Sequence, residues 1–243
     1  MRIAWALGVV AVAAGCAIPV AEAHDMAGRL REFGAARSGS GVLLPVVRCS
    51  TPPSVSGFLP QFRRSGFPHG PRAAVSVSLG RRLAFYSNGW LTLLAPRGWK
   101  CSGAVGATGH LYVSVLPPNA RSQVVYVSKR TPAVTAEIPS PDTGEVGGLA
   151  CPFFPGAAPQ PGWAHCPGIP TSERVVRLGP DAVAFSDPPY FRGTGNPSGG
   201  PYPANGVVVY RKAHAALATC TLPSVEHAEC TAILNDFLAR YPL

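Results

Sequence analysis

The sequence predicts a mainly β domain of the α+β class: an antiparallel sheet sandwich with a C-terminal amphipathic helix, stapled by disulfides. Three observations predict it. Short runs rich in β-branched and aromatic residues recur along the chain, separated by Gly/Pro-rich connections. The last segment carries apolar residues at helical spacing. Beyond residue 23 the chain holds six cysteines, an even set.

The first element is a targeting segment. "MRIAWALGVVAVAAGCAIPVAEAHD" places Arg2 before an apolar run of about 13 residues, with Ala21-Glu22-Ala23 at a cleavage position. Residues 1–23 read as a secretory signal peptide, with an apolar core too short to span a membrane. "AAGC", ending at Cys16, is a loose lipobox, so the expected secreted protein has a lipid-anchored alternative. No later run approaches the roughly 18 apolar residues of a span. Residues 24–42 form a lead-in and residues 43–243 a single disulfide-stabilised domain.

With Cys16 removed or lipidated, Cys49, Cys101, Cys151, Cys166, Cys220 and Cys230 remain. In an exported chain they read as three disulfides, with 15 connectivities open. Closeness in sequence favours Cys151–Cys166 and Cys220–Cys230, which leaves Cys49–Cys101. Loop entropy assigns about 3 kcal/mol to each short bridge and about 4 to the long one.

Within the domain, "GVLLPVVRC" and "AAVSVSL" read as strands. "LAFYSNGWLTLL" reads as a hairpin with Asn88-Gly89 in a two-residue type I′ turn. Phe85, Trp90 and Leu94 then share one face and Tyr86, Leu91 and Leu93 the other. Both faces are apolar, so the hairpin belongs in the interior of the sheet. "HLYVSVL", "SQVVYVS", "AVTAEI", "ERVVRL", "AVAFS", "GVVVYR" and "HAALATCTL" continue the β pattern. The loop "CPFFPGAAPQPGWAHC" carries a cysteine at each end. In the last segment Cys230, Ile233, Leu234, Phe237, Leu238 and Tyr241 line one helical face, with Ser224 as N-cap.

Charge is uneven. Residues 26–130 hold 14 Lys or Arg against Glu32, whereas residues 131–243 hold six against nine acids. Either a surface faces a polyanion or the two halves face each other. "FLPQFRRSGF" and "GRRLAFYSNGW" make Arg63, Arg64, Arg81 and Arg82 candidate binding residues. Export argues against nucleic acid and for anionic envelope polymers or lipid headgroups as partners.

Familiar catalytic patterns fail. "GNPSGG" lacks nucleophile-elbow spacing, and "GTGNPSGG" has Ser198 where a dinucleotide fingerprint needs its third Gly. His beside Cys in an oxidising compartment, with no C-x-x-C pair, argues for disulfides and no metal. No cofactor is implied. His69 and His110 are the candidate bases for a Ser–His–Asp site. Asp187, Glu173 and Asp181 are the acids near the long loop "SDPPYFRGTGNPSGGPYPANG", which spans 186–206. Its prolines and the aromatic residues Tyr190, Phe191 and Tyr202 predict an ordered surface loop. Asp187 is expected to accept hydrogen bonds from backbone or Arg192, with a ligand role for Asp187, Tyr190 and Arg192 as the competing reading.

"LAFYSNGWLTLLAPRGWKCSGAVGATG", "ACPFFP", "FSDPPYFRGTGNPSGG", "GVVVY" and "ATCTLP" together resemble a group of exported actinobacterial proteins with no established activity. The resemblance covers roughly Val46 to Tyr241. It implies one exported, disulfide-bonded domain and no catalytic residue. The expected role is non-enzymatic: a binding or accessory protein of the envelope or extracellular space. The alternatives are a secreted hydrolase of envelope polymer, peptide or ester, and an interaction module that presents the Pro-rich loop.

Overall fold

Strands that are apolar on both faces need cover on both sides, and that requirement organises this molecule. The computed structural model describes residues 41–50, 71–106, 108–120, 131–141, 144–195, 197 and 199–241. In chain order these form β1 (Val42–Leu43), β2 (Val46–Arg48), β3 (Arg72–Ala73), α1 (Val77–Gly80), β4 (Leu83–Ser87), β5 (Thr92–Pro96), β6 (Lys100–Val105) and β7 (Leu111–Leu116). They continue with β8 (Ala133–Ile138), α2 (Glu145–Ala150), β9 (Arg174–Arg177), β10 (Ala182–Asp187), β11 (Ala204–Arg211) and β12 (His214–Thr221). A 3₁₀ turn, Ser224–Glu226, leads into α3 (His227–Arg240).

The central layer is a seven-stranded antiparallel sheet in the order β6-β7-β8-β12-β11-β10-β9. Side chains alternate across it. Ala216, Ala218 and Cys220 of β12 join one apolar cluster, together with Val113 and Val115 of β7. Ala215 and Leu217 of the same strand join a second cluster on the opposite face. A three-stranded sheet, β2-β4-β5, and helix α3 cover the first face. Helix α2 and the loop after it, through Phe153 and Phe154, cover the second.

The first face is a conventional core. Phe85, Tyr86, Leu93, Leu94, Ile233 and Phe237 are all at most 1% exposed, so their removal from water supplies much of the driving force. Two tyrosines, Tyr86 fully buried and Tyr241 partly buried, satisfy their hydroxyls within the core layer. Tyr86 donates to Pro96 O at 2.6 Å and accepts from Trp99 N at 3.1 Å. Tyr241 donates to Thr92 O and accepts from Thr92 N, capping edge strand β5 from the end of α3. Arg240 grips Asp236 through two hydrogen bonds and lies 4.2 Å above the Phe85 ring, which ties the helix to β4.

Three disulfides are formed: Cys49–Cys101, Cys151–Cys166 and Cys220–Cys230. The first joins the small sheet to the edge of the large one. The second closes the loop on the second face, and the third clips α3 to β12.

Several expected details differ. "AAVSVSL" is not a strand throughout: β3 stops at Ala73, and Ser76 caps α1 by accepting from Leu79 N. Val77 is 62% exposed, so the alternation there had no sheet face to bury. The β4–β5 hairpin forms, but its loop holds four residues, so Phe85 pairs with Leu94 and Tyr86 with Leu93, where a two-residue turn would have set them opposite Thr92 and Leu91. Asn88 explains the length. Its Oδ1 accepts from Trp90 N and Leu91 N, so the side chain closes an Asx-type turn in which Gly89 alone takes positive φ. The sheet interior claims β4 but leaves β5 at an edge. Ser224 opens a 3₁₀ turn in place of capping α3 directly. β6 and α2 were not expected. The expected strand "SQVVYVS", the signal peptide, Cys16 and most of the lead-in lie outside the described residues. No helix among the described residues is long and apolar enough to cross a membrane.

Helix α2, "EVGGLA", contains two glycines that helices disfavour. They are there for contact. A Cβ on Gly147 would stand 2.3 Å from Ala158 O, so the stapled loop lies directly on the helix backbone. Gly147→Ala is therefore expected to lower stability by about 1–3 kcal/mol, despite the better helix propensity of Ala. Thermal or urea unfolding measures it; an unchanged midpoint would contradict the close approach.

Candidate functional site

The second face of the sheet is only partly covered. β7 and β8 turn Tyr112, Ser114, Thr135 and Glu137 to that side, since Val113, Val115, Val134 and Ala136 occupy the other. Polar groups replace a core there, and Thr135 and Thr219 share a 2.6 Å hydroxyl hydrogen bond across the β8–β12 seam. Beside this polar strip opens a cleft of about 570 Å³. Glu137 and Leu217 form its floor. Glu145 and Leu149 of α2 and Gln160 and Trp163 of the stapled loop line one side. Arg192, Thr194 and Pro197 of the Gly/Pro loop line the other.

His110, at the start of β7, stands between floor and wall. Its Nε2 lies 3.6 Å from Glu137 Oε2 and its Nδ1 lies 3.1 Å from Glu145 Oε2. The Glu137 carboxylate is the strongest influence raising the imidazole pKa above its ordinary value, Glu145 adds to it, and burial opposes both. His110 thereby stands between the sheet and α2 with a carboxylate facing each ring nitrogen. Because the two carboxylates face different ring nitrogens, they do not converge on a single ion. Among the described residues no cluster of three His, Cys, Asp or Glu is arranged to hold a metal.

The Gly/Pro loop is fixed by two buried carboxylates. Asp187, fully buried at the end of β10, accepts from Gly195 N at 2.7 Å. Glu173, 7% exposed, accepts from Thr194 N at 2.7 Å and from Thr194 Oγ1 at 3.2 Å. Consecutive amides thus dock on separate acids. Gly193 is required beneath them, since a Cβ would stand 1.8 Å from Asp187 Oδ1. Tyr190 takes φ +66°, donates its N–H to Gly200 O at 2.7 Å and is 75% exposed. That is a strained backbone for an aromatic residue, and it holds the ring out at the loop surface.

The structure brings together only some of the sequence candidates. His110 and Arg192 line the cleft, and Asp187 and Glu173 hold its wall from beneath. Asp181 instead pairs with Arg211 at 3.8 Å on the surface. Arg81 is exposed and Arg82 pairs with buried Glu229 of α3; neither lines the cleft. Arg63, Arg64, His69 and Ser198 lie outside the described residues. Glu137, Glu145, Gln160, Trp163 and Thr194 were missed. One signal existed: in "AVTAEI" the residues opposite Val134 and Ala136 are Thr and Glu, which marks a sheet face that is not closed core.

Two predictions follow from the anchors. Asp187→Asn should lower stability by about 1–3 kcal/mol, because it weakens a buried acceptor against a tightly packed loop. A variant with wild-type unfolding but altered binding would move Asp187 from wall to ligand contact. For His110, a raised folded-state pKa means its contribution is complete below about pH 6.5, the unfolded value. It fades as pH rises through the higher folded value. The stability difference between the wild type and His110→Asn should therefore shrink with rising pH; a pH-independent difference contradicts the ionic bridge.

No protein-family model, curated protein or solved structure matches this chain, and the cleft's own geometry therefore carries the functional reading.

Proposed function

We propose that this is an exported binding or accessory protein of the cell envelope or extracellular space, holding its ligand in the cleft without transforming it. Three disulfides support an oxidising compartment, and the N-terminal segment reads as a signal for export. The kinship suggested by its "APRGWKC" and "DPPYFRGTGNPSGG" segments fits the same reading. The cleft volume falls in the range of small-ligand sites, roughly 300–1,000 Å³.

The observation that carries the proposal is how the polar groups are used. Glu173 and Asp187 are consumed in backbone anchoring, and all six domain cysteines are in disulfides. Nucleophilic catalysis needs a hydroxyl or thiol against a base. Among the described residues, the His110 ring nitrogens meet carboxylates instead. The walls are pinned at several points, which suits recognition by a preformed site. The basic first half of the chain, with Arg63, Arg64, Arg81 and Arg82, offers a separate salt-sensitive attachment to anionic envelope polymers or lipid headgroups.

One feature favours a hydrolase as the second reading: the acid–imidazole contact between Glu145 and His110 inside a concave site. A single assay separates the two. The exported protein, incubated with purified cell-wall material, should co-sediment with it and release no soluble sugar or peptide. Release that disappears in His110→Ala establishes the hydrolase. Failure to co-sediment in low and moderate salt removes envelope binding.

A further inference from the structure

We propose that the cleft is a glycan seat, in which an uncharged sugar ring stacks on the indole of Trp163 while Glu145, Gln160 and Arg192 take its hydroxyl groups. This rests on the reading of the cleft as a ligand-binding site and adds the ligand class.

Trp163 is the first observation. It is 43% exposed although it sits in a loop closed by Cys151–Cys166 and laid on a helix. Its ring edge lies 3.8 Å from where a Cβ of Gly148 would stand, so it rests against bare helix backbone and does not enter the core. Trp163 N donates to Gln160 O at 2.9 Å, a turn that sets the indole and the Gln160 amide side by side on the same cleft wall. A half-open aromatic surface flanked by a planar amide and a carboxylate matches a pyranose, which has a C–H face and a rim of hydroxyls. Each hydroxyl both donates and accepts, as carboxylate, amide and guanidinium partners require.

Charge and backbone narrow the class. The lining sets Glu137 and Glu145 against Arg192, with His110 between the two acids, a mixed set that offers no concentrated positive charge to an anionic ligand. A polyanion has no basic wall to follow here. An extended peptide fares worse. The floor is formed by β8 and β12, interior strands whose main-chain groups are already paired on both sides, so no sheet edge is open to strand addition. Pro139, Pro152, Pro167, Pro170 and Pro197 are among the lining residues and have no N–H to offer peptide carbonyls. Recognition falls to side chains, which is how a sugar is read.

Calorimetric titration of the exported protein tests this with two panels. The first holds neutral trisaccharides of glucose, mannose, galactose, arabinose and N-acetylglucosamine; the second holds uncharged-side-chain tripeptides. At least one trisaccharide should bind saturably. Affinity should fall at least tenfold in Trp163→Ala and in Arg192→Gln, and fall less in Trp163→Phe, which keeps an aromatic face. Melting temperatures of these surface variants provide the folding control. Sugar binding unaffected by Trp163→Ala would overturn the seat. Saturable tripeptide binding lost in Trp163→Ala, with no sugar bound below about 10 mM, the weak end of measurable affinity, overturns the glycan class and leaves the cleft as a binding site. If neither panel binds, both readings fall.

Discussion

A seven-stranded antiparallel sheet that is apolar on both faces cannot stand as an outer wall, and the rest of the molecule answers that constraint. One face receives regular structure: a three-stranded sheet that supplies Leu, Phe and Tyr, and a helix that supplies Ile, Leu and Phe. The other receives a short helix and long Pro/Gly connections, because few strands or helices remain to cover it. Cover made of loops is discontinuous. Where it lapses, β7 and β8 change from aliphatic to polar side chains, and the cleft occupies the gap. The site is thus a property of how the second face is closed, and no inserted subdomain is required.

Loops used as walls must be immobilised, and three different interactions do so here. A disulfide holds the stapled loop at its two ends, while glycines let its middle settle on α2. Two buried carboxylates take consecutive amides of the Gly/Pro loop. An imidazole bridges α2 to β8 through two acids. Removing conformational freedom before a ligand arrives lowers the entropic cost of binding. The same economy explains why a protein with few acidic residues commits four of them, Glu137, Glu145, Glu173 and Asp187, to this one region.

The architecture was legible in the chain because it depends on local chemistry. Period-two runs marked β7, β8 and β10–β12, the period-3.6 pattern of Cys230, Ile233, Leu234 and Phe237 marked α3, and cysteine spacing gave the bridges. Failures came where contact overrode local preference. α2 was hidden because its glycines lower helix propensity and serve packing against Ala158–Gln160. α1 was hidden because Val and Ser alternate there without a sheet to pair with. The Asn88 turn was legible as a turn but not in length, since its side chain closes the loop. The cleft was the least legible feature: Glu137, Glu145 and Trp163 come from three separate segments, and only the fold sets them around His110. Asp187 stood out at a strand end, yet its burial could not be read from the residues around it.

The strand order carries a kinetic consequence. β6-β7-β8 and β9-β10-β11-β12 are two meanders, each built from neighbours in sequence, and they meet only where residues 133–137 of β8 pair with residues 217–221 of β12. Every other rung of the large sheet closes a shorter loop. Loop-closure entropy therefore concentrates in one seam, and contacts of long sequence separation slow folding. Two hairpin-like halves that form independently and then zip together, with Thr135 against Thr219 at the join, describe the assembly route this topology favours. Until that seam closes, β8 and β12 present unpaired edges, so the nascent chain is most open to wrong pairing at the strands that later floor the cleft.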